Sequence, residues 1–123
     1  SGGEQKRVAI ARALAAEPGC LIFDEATNGF DLPLRKKIVD EIIDLQQKIG
    51  FTMIFITHDM ELAAVVADEI FVMRNSKLVE RAKIFGDYSV FHDPYSRMLL
   101  EASGLANVSP DWNEKTNERT DLQ

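Results

Sequence analysis

Two adjacent carboxylates, Asp24 and Glu25, close the apolar run Cys20-Leu21-Ile22-Phe23, and an imidazole, His58, follows a second run, Met53-Ile54-Phe55-Ile56. Acids at the rim of a core are costly unless a cation or a hydrogen-bond donor receives them. In open α/β sheets the carboxyl ends of strands face the ligand crevice. The pair therefore stands where a Mg2+ ion and a water could be held; read alone, it is equally two solvated acids starting a loop. Ser1-Gly2-Gly3, ahead of a helical run, suits an anion, because free backbone N–H groups and the positive dipole end point outward and glycine lets a phosphate come close. By itself that string is also a flexible helix start, and His58 alone reads as a surface or cap residue. The three gain weight from their order along one chain and from the elements they sit on.

Those elements follow from periodicity. Val8, Ala9, Ile10, Ala13 and Leu14 recur at helical spacing and Glu17-Pro18-Gly19 stops them, which predicts a helix over 3–16. Residues 20–23 predict a short strand apolar on both faces, of the kind found inside a parallel sheet covered by helices, with Cys20 as a small buried hydrophobe. Leu34, Ile38, Ile42, Leu45 and Ile49 mark an amphipathic helix of about four turns, with Asp31 or Leu32 near its start, Pro33 in its first turn and Gly50 at its stop. Residues 52–57 form a second two-faced strand, an Ala-rich helix follows over about 59–67, and Ile70 to Met73 is a third strand. This alternation indicates an α/β fold.

Arg74-Asn75-Ser76 reads as a turn into a last strand over 77–81, and Asp93-Pro94 opens a helix reaching about Ala102. The polar stretch after Pro110 predicts a disordered tail, so the chain divides into a folded part over 1–102 and a tail over 103–123. Met53, Met60, Met73 and Met98 are expected to fill gaps in the core. His92 and Tyr95, on either side of Asp93-Pro94, are expected to cap and pack the final helix, and Glu61 to lie on a solvated face.

Composition narrows the function classes. At 123 residues and 46% hydrophobic content the chain is one domain or less, long enough to bury roughly two-thirds of its unfolded surface. Fourteen basic against 20 acidic residues, net −6, argue against nucleic acid as a partner, since polyanion binding needs clustered Lys and Arg. The single cysteine allows no intramolecular disulfide and suits a reducing cytoplasm. No apolar stretch approaches the ~20 residues that span a bilayer.

With the motifs in place, a resemblance emerges. Ser1-Gly2-Gly3-Glu4-Gln5-Lys6-Arg7-Val8-Ala9-Ile10-Ala11-Arg12-Ala13-Leu14 is similar to the signature of ABC ATPases and the helix after it. Leu21-Ile22-Phe23-Asp24-Glu25-Ala26-Thr27 resembles their Walker B strand, Asn28-Gly29-Phe30-Asp31 their D-loop, and Ile56-Thr57-His58-Asp59 their H-loop. The similarity covers about residues 1–100. It implies a P-loop NTPase-type three-layer parallel sheet with flanking helices, of which this chain is the C-terminal half, and ATP and Mg2+ as cofactors. It further implies that Asp24 helps hold Mg2+, that Glu25 polarises the attacking water and that His58 contacts the γ-phosphate. Asp31 would couple the two sites of a dimer, and Ser1, Gly2 and Gly3 would bind ATP held by the opposite subunit. The partners implied are a second ATPase subunit and integral membrane permease subunits, with the chain on the cytoplasmic side of the cell membrane.

Departures from that pattern also carry expectations. No Gly is followed by Lys-Ser or Lys-Thr, so a loop cradling the β- and γ-phosphates is missing from the sequence, and the chain alone is expected to be inactive. Gly29-Phe30 in place of the usual Ala-Leu is expected to loosen the D-loop. Ile84-Phe85, then His92-Asp93-Pro94-Tyr95-Ser96 and Leu99-Leu100, resemble the segment after the last strand in ATPases of oligopeptide, dipeptide and nickel importers, which implies a peptide-like solute. No iron-sulfur cluster is expected, because Cys20 has no companions. Two competing readings are an ABC-type ATPase outside transport and a truncated, catalytically inactive relative.

Overall fold

The computed structural model describes residues 2–83 and 88–105, which form two compact units, one ending at His58 and the other starting at Asp59. In the first, helix α1 (Gly2–Ala15) leads into strand β1 (Cys20–Asp24), helix α2 (Leu32–Ile49) and strand β2 (Thr52–Ile56). The two strands pair in parallel, Cys20 opposite Thr52 through Asp24 opposite Ile56. The ladder runs on at both ends, where Thr52 N–H donates to Gly19 O and Glu25 N–H to Ile56 O, each at 2.9 Å. A parallel pair needs a crossover connection, and α2 supplies it.

α2 forms where its signals place it. Asp31 Oδ1 accepts from Leu34 N–H at 2.9 Å, Pro33 lies in the first turn, and Gly50, at φ 85°, ends the helix by donating to Gln46 O. A left-handed stop of this kind favours glycine. Its apolar stripe, Ile38 and Ile42 foremost, packs with Leu21, Phe23, Phe30 and Phe51 into the core, and Ile10 and Leu14 of α1 lean on it. Phe23 and Phe55, opposite each other in the ladder, stack with ring centroids 5.7 Å apart.

Burial on β1 alternates strictly. Leu21 and Phe23 face the core, while Cys20 is exposed and Ile22 keeps 61% of its surface; on β2, Ile54 and Ile56 stay 48% and 46% exposed. The expected two-faced burial is thus met on one face, and the expectation of a buried Cys20 is corrected. Period-two alternation sends Cys20 and Ile22 to the side away from α2.

The second unit contains helix α3 (Met60–Val66), the hairpin β3 (Glu69–Arg74) and β4 (Lys77–Lys83), a 3-10 turn over Tyr88–Val90, and helix α4 (Pro94–Ala102). The resemblance implied a parallel sheet throughout; the ladder of β3 is antiparallel, with β4. Asn75 and Ser76, at φ 49° and 60°, form the two-residue turn with both dihedrals positive that matches strand twist. The core comprises Met60, Ala64, Ile70, Val72, Ala82, Tyr88, Phe91, Leu100 and Leu105. Met73 and Met98, expected inside, are 60% and 53% exposed. Met73 shares with Phe71 and Leu78 the outer face of the hairpin.

Asp93, rather than His92, caps α4: its Oδ1 accepts from Tyr95 N–H at 2.8 Å. Glu80 holds the approach to that helix, its carboxylate accepting from His92 N–H at 2.7 Å and Asp93 N–H at 3.2 Å. Burial pushes the Glu80 carboxyl up, but the nearby Ser96 hydroxyl, those two N–H donors and the charge of His92 outweigh it and hold the group below its ordinary 4.5. Ser96 Oγ itself is buried and outside strict hydrogen-bond geometry. Tyr95 packs on the core with the Arg74 guanidinium 4.9 Å above its ring, and Glu61 is exposed. Residues 84–85, which carried part of the importer resemblance, and the tail from 106 onward lie outside the described residues.

Candidate functional site

Strand alternation turns Asp24 to the face opposite the core, where it is exposed at the last rung of the ladder. Glu25 follows at φ 48°, a left-handed backbone that a glutamate adopts at a cost. The kink swings its side chain to the carboxyl end of the pair. There Glu25 Oε1 lies 3.5 Å from His58 Nδ1, and Asn28 Nδ2 donates to Glu25 Oε2 at 2.7 Å. His58, two residues beyond β2, reaches this point because the register sets Asp24 beside Ile56. Both side chains remain open to solvent, His58 at 75% and Glu25 at 48%.

The loop from Glu25 to Asp31 is tightly folded. Asn28 N–H donates to Glu25 O and Phe30 N–H to Thr27 O, and Gly29, at φ 81°, makes a turn that a side chain would strain. Lys6, reaching from α1, donates to Asn28 O and sets its ammonium 4.9 Å from the centroid of the Phe30 ring. Phe30 keeps only 8% of its surface. The expected loosening of this loop is therefore corrected, since Phe30 anchors it in the core.

The remaining sequence-singled residues separate from this cluster. Asp31 caps α2. Gly2 has open space where a Cβ would stand, while a Cβ on Gly3 would come within 3.3 Å of Leu34 and 3.5 Å of Phe30. Gly3 thus serves close packing of α1 on α2 whatever else it does. Together with Lys6, Asn28, Gly29, Phe30, Asp31 and Leu34, the two glycines line a hollow at the start of α1. Ser1 lies outside the described residues. Asn28 and Lys6 were missed by sequence reasoning; the signal available was a side-chain amide three residues after a candidate catalytic acid.

Among the described residues no three His, Cys, Asp or Glu side chains converge closely enough to hold a metal ion unaided. Asp24 and Glu25 are exposed carboxylates, the ligand type that Mg2+ takes one or two of, beside phosphates and water. No helix among the described residues is long and apolar enough to cross a membrane.

Comparison with known proteins places parts of this sequence beside two sets of relatives. The ABC transporter family profile matches residues 1–28, the stretch that runs from the Ser-Gly-Gly string through Asp24-Glu25 to Asn28. Over 110 residues, 89% of this chain, it is 39% identical to the Fe(3+) ions import ATP-binding protein FbpC of Rhizobium etli, and equally to the proteins of that name from Agrobacterium fabrum and Brucella melitensis biotype 1. The aligned part is 30% of each of those proteins. These relatives carry iron, not peptide, in their names, so the expected peptide solute finds no support among them.

Proposed function

We propose that this chain forms the distal part of an ABC-type ATP-hydrolysing domain that energises an importer. The observation that carries the proposal is the meeting of Glu25 and His58 at the carboxyl end of β1 and β2, on motifs in the order of that family. Asp24 helps hold Mg2+, whose charge, when bound, neutralises the phosphates and supplies much of the help that phosphoryl transfer needs. Glu25 orients the attacking water and takes its proton, and His58 contacts the γ-phosphate. Ser1, Gly2 and Gly3 contact ATP held by a second ATPase subunit, and Asp31 couples the two sites. The pair sits on integral membrane permease subunits at the cytoplasmic face.

For the solute, the names of the relatives favour ferric iron. The peptide reading rests on residues 92–96 and the neighbouring apolar pairs alone. Uptake by proteoliposomes carrying the assembled transporter separates the two: accumulation of Fe3+ without oligopeptide supports iron, and the reverse restores the peptide.

The activity itself is tested in the full-length protein. Mg2+-dependent ATP hydrolysis is expected, and Glu25→Gln should lower it by about a hundredfold or more while ATP binding persists. Unchanged turnover in that variant would overturn the assignment of Glu25.

A further inference from the structure

Glu25 is a long, half-exposed side chain on a strained backbone, and nothing in its own strand fixes the plane of its carboxylate. Its two oxygens are nevertheless committed, Oε2 to the Asn28 amide at 2.7 Å and Oε1 toward His58 at 3.5 Å. The first is a short bond from an amide to a carboxyl oxygen. We propose that Asn28 is the positioning residue of Glu25, and that Lys6, reaching across from α1, holds Asn28 in place for that task. The inference rests on the ATPase reading above and extends it to two residues outside the catalytic pair.

Two backbone contacts make Asn28 a fixed point. Its N–H donates to Glu25 O, closing the turn from which its own side chain reaches back. Its carbonyl accepts from Lys6 Nζ. The ammonium of Lys6 is in turn seated over the Phe30 ring, whose quadrupole attracts a cation. Phe30 is buried, so the clamp is anchored in the core, and the first turns of α1 are tied to the Glu25 carboxylate through one lysine. A residue that sets the geometry of a catalytic group acts on turnover more than on binding, and misplacement by about 1 Å costs up to roughly a hundredfold.

The test uses the full-length protein and two readouts. In steady-state hydrolysis of Mg-ATP, Asn28→Ala should lower kcat about tenfold or more with little change in KM, and Lys6→Ala should lower it by a smaller factor. Because Lys6 acts through Asn28, Lys6→Ala should add nothing in the Asn28→Ala background, the non-additivity expected of residues that work in series. Lys6→Arg, which keeps a cation over the ring, should restore most of the loss.

The second readout is amide hydrogen exchange over residues 28–30, which needs no activity. It should quicken in Lys6→Ala and stay as in the wild type in Lys37→Ala, a lysine on the exposed side of α2. Additive losses in the double variant, or exchange unmoved by Lys6→Ala, would overturn the proposal. Quickened exchange in Lys6→Ala, beside a full-length wild type that hydrolyses no ATP, would leave the clamp standing and overturn the ATPase reading instead.

Discussion

Glu25 occupies a left-handed backbone, where an L side chain pays about 1–2 kcal/mol in crowding. A strained residue at a candidate catalytic position is a common pattern, the strain being tolerated for the aim it gives the side chain. Glu25→Gly should therefore unfold at no lower urea concentration than the wild type, although it removes the carboxylate; Glu25→Val, branched at Cβ, should lose ~1 kcal/mol or more. Glu80 makes the opposite case, a carboxylate whose work is structural. Its folded pKa lies below its ordinary 4.5, so its contribution is present above that value and is lost as pH falls through the folded value. The urea midpoint should fall between pH 6 and pH 3 by less in Glu80→Gln than in the wild type. At this scale the sequence was only partly legible. Asp24, Glu25 and His58 announced themselves by type and place, but the Lys6 contact joins residues 22 positions apart through a backbone carbonyl, and no side-chain pattern records such a bond.

Among the elements, α2 was the most legible because every one of its signals is local: a capping acid, an early proline, an apolar stripe and a glycine stop. Asp31→Ala should cost ~1 kcal/mol of stability in denaturant titration through the lost cap. That loss has to be separated from any effect of Asp31 on ATP turnover. The hairpin between β3 and β4 turns at two non-glycine residues, both at positive φ. Ser76→Gly makes this turn Asn-Gly, the pair such turns favour, and should stabilise the protein by up to about 1 kcal/mol. Less legible was the partner of β3. The strand-helix alternation names no neighbour for it, while the two-residue turn at Asn75-Ser76 dictates an antiparallel one.

For the whole molecule, the apolar character of both faces of β1 and β2 was plain, yet only one face finds cover among the described residues of its unit. Apolar patterning records that a surface needs a lid and is silent about what provides it. The chain of 123 residues studied by itself should therefore associate through Ile22, Ile54 and Ile56. Replacing Ile22 and Ile54 together by lysine should shift its sedimentation toward the monomer. Cys20 shares this face and is the only thiol in the sequence. It thus amounts to a built-in gauge of whether the sheet is dressed: a maleimide should label it within minutes on the bare chain and slowly wherever a longer polypeptide or a companion lies over the strand, so a single mass shift follows the assembly of the domain.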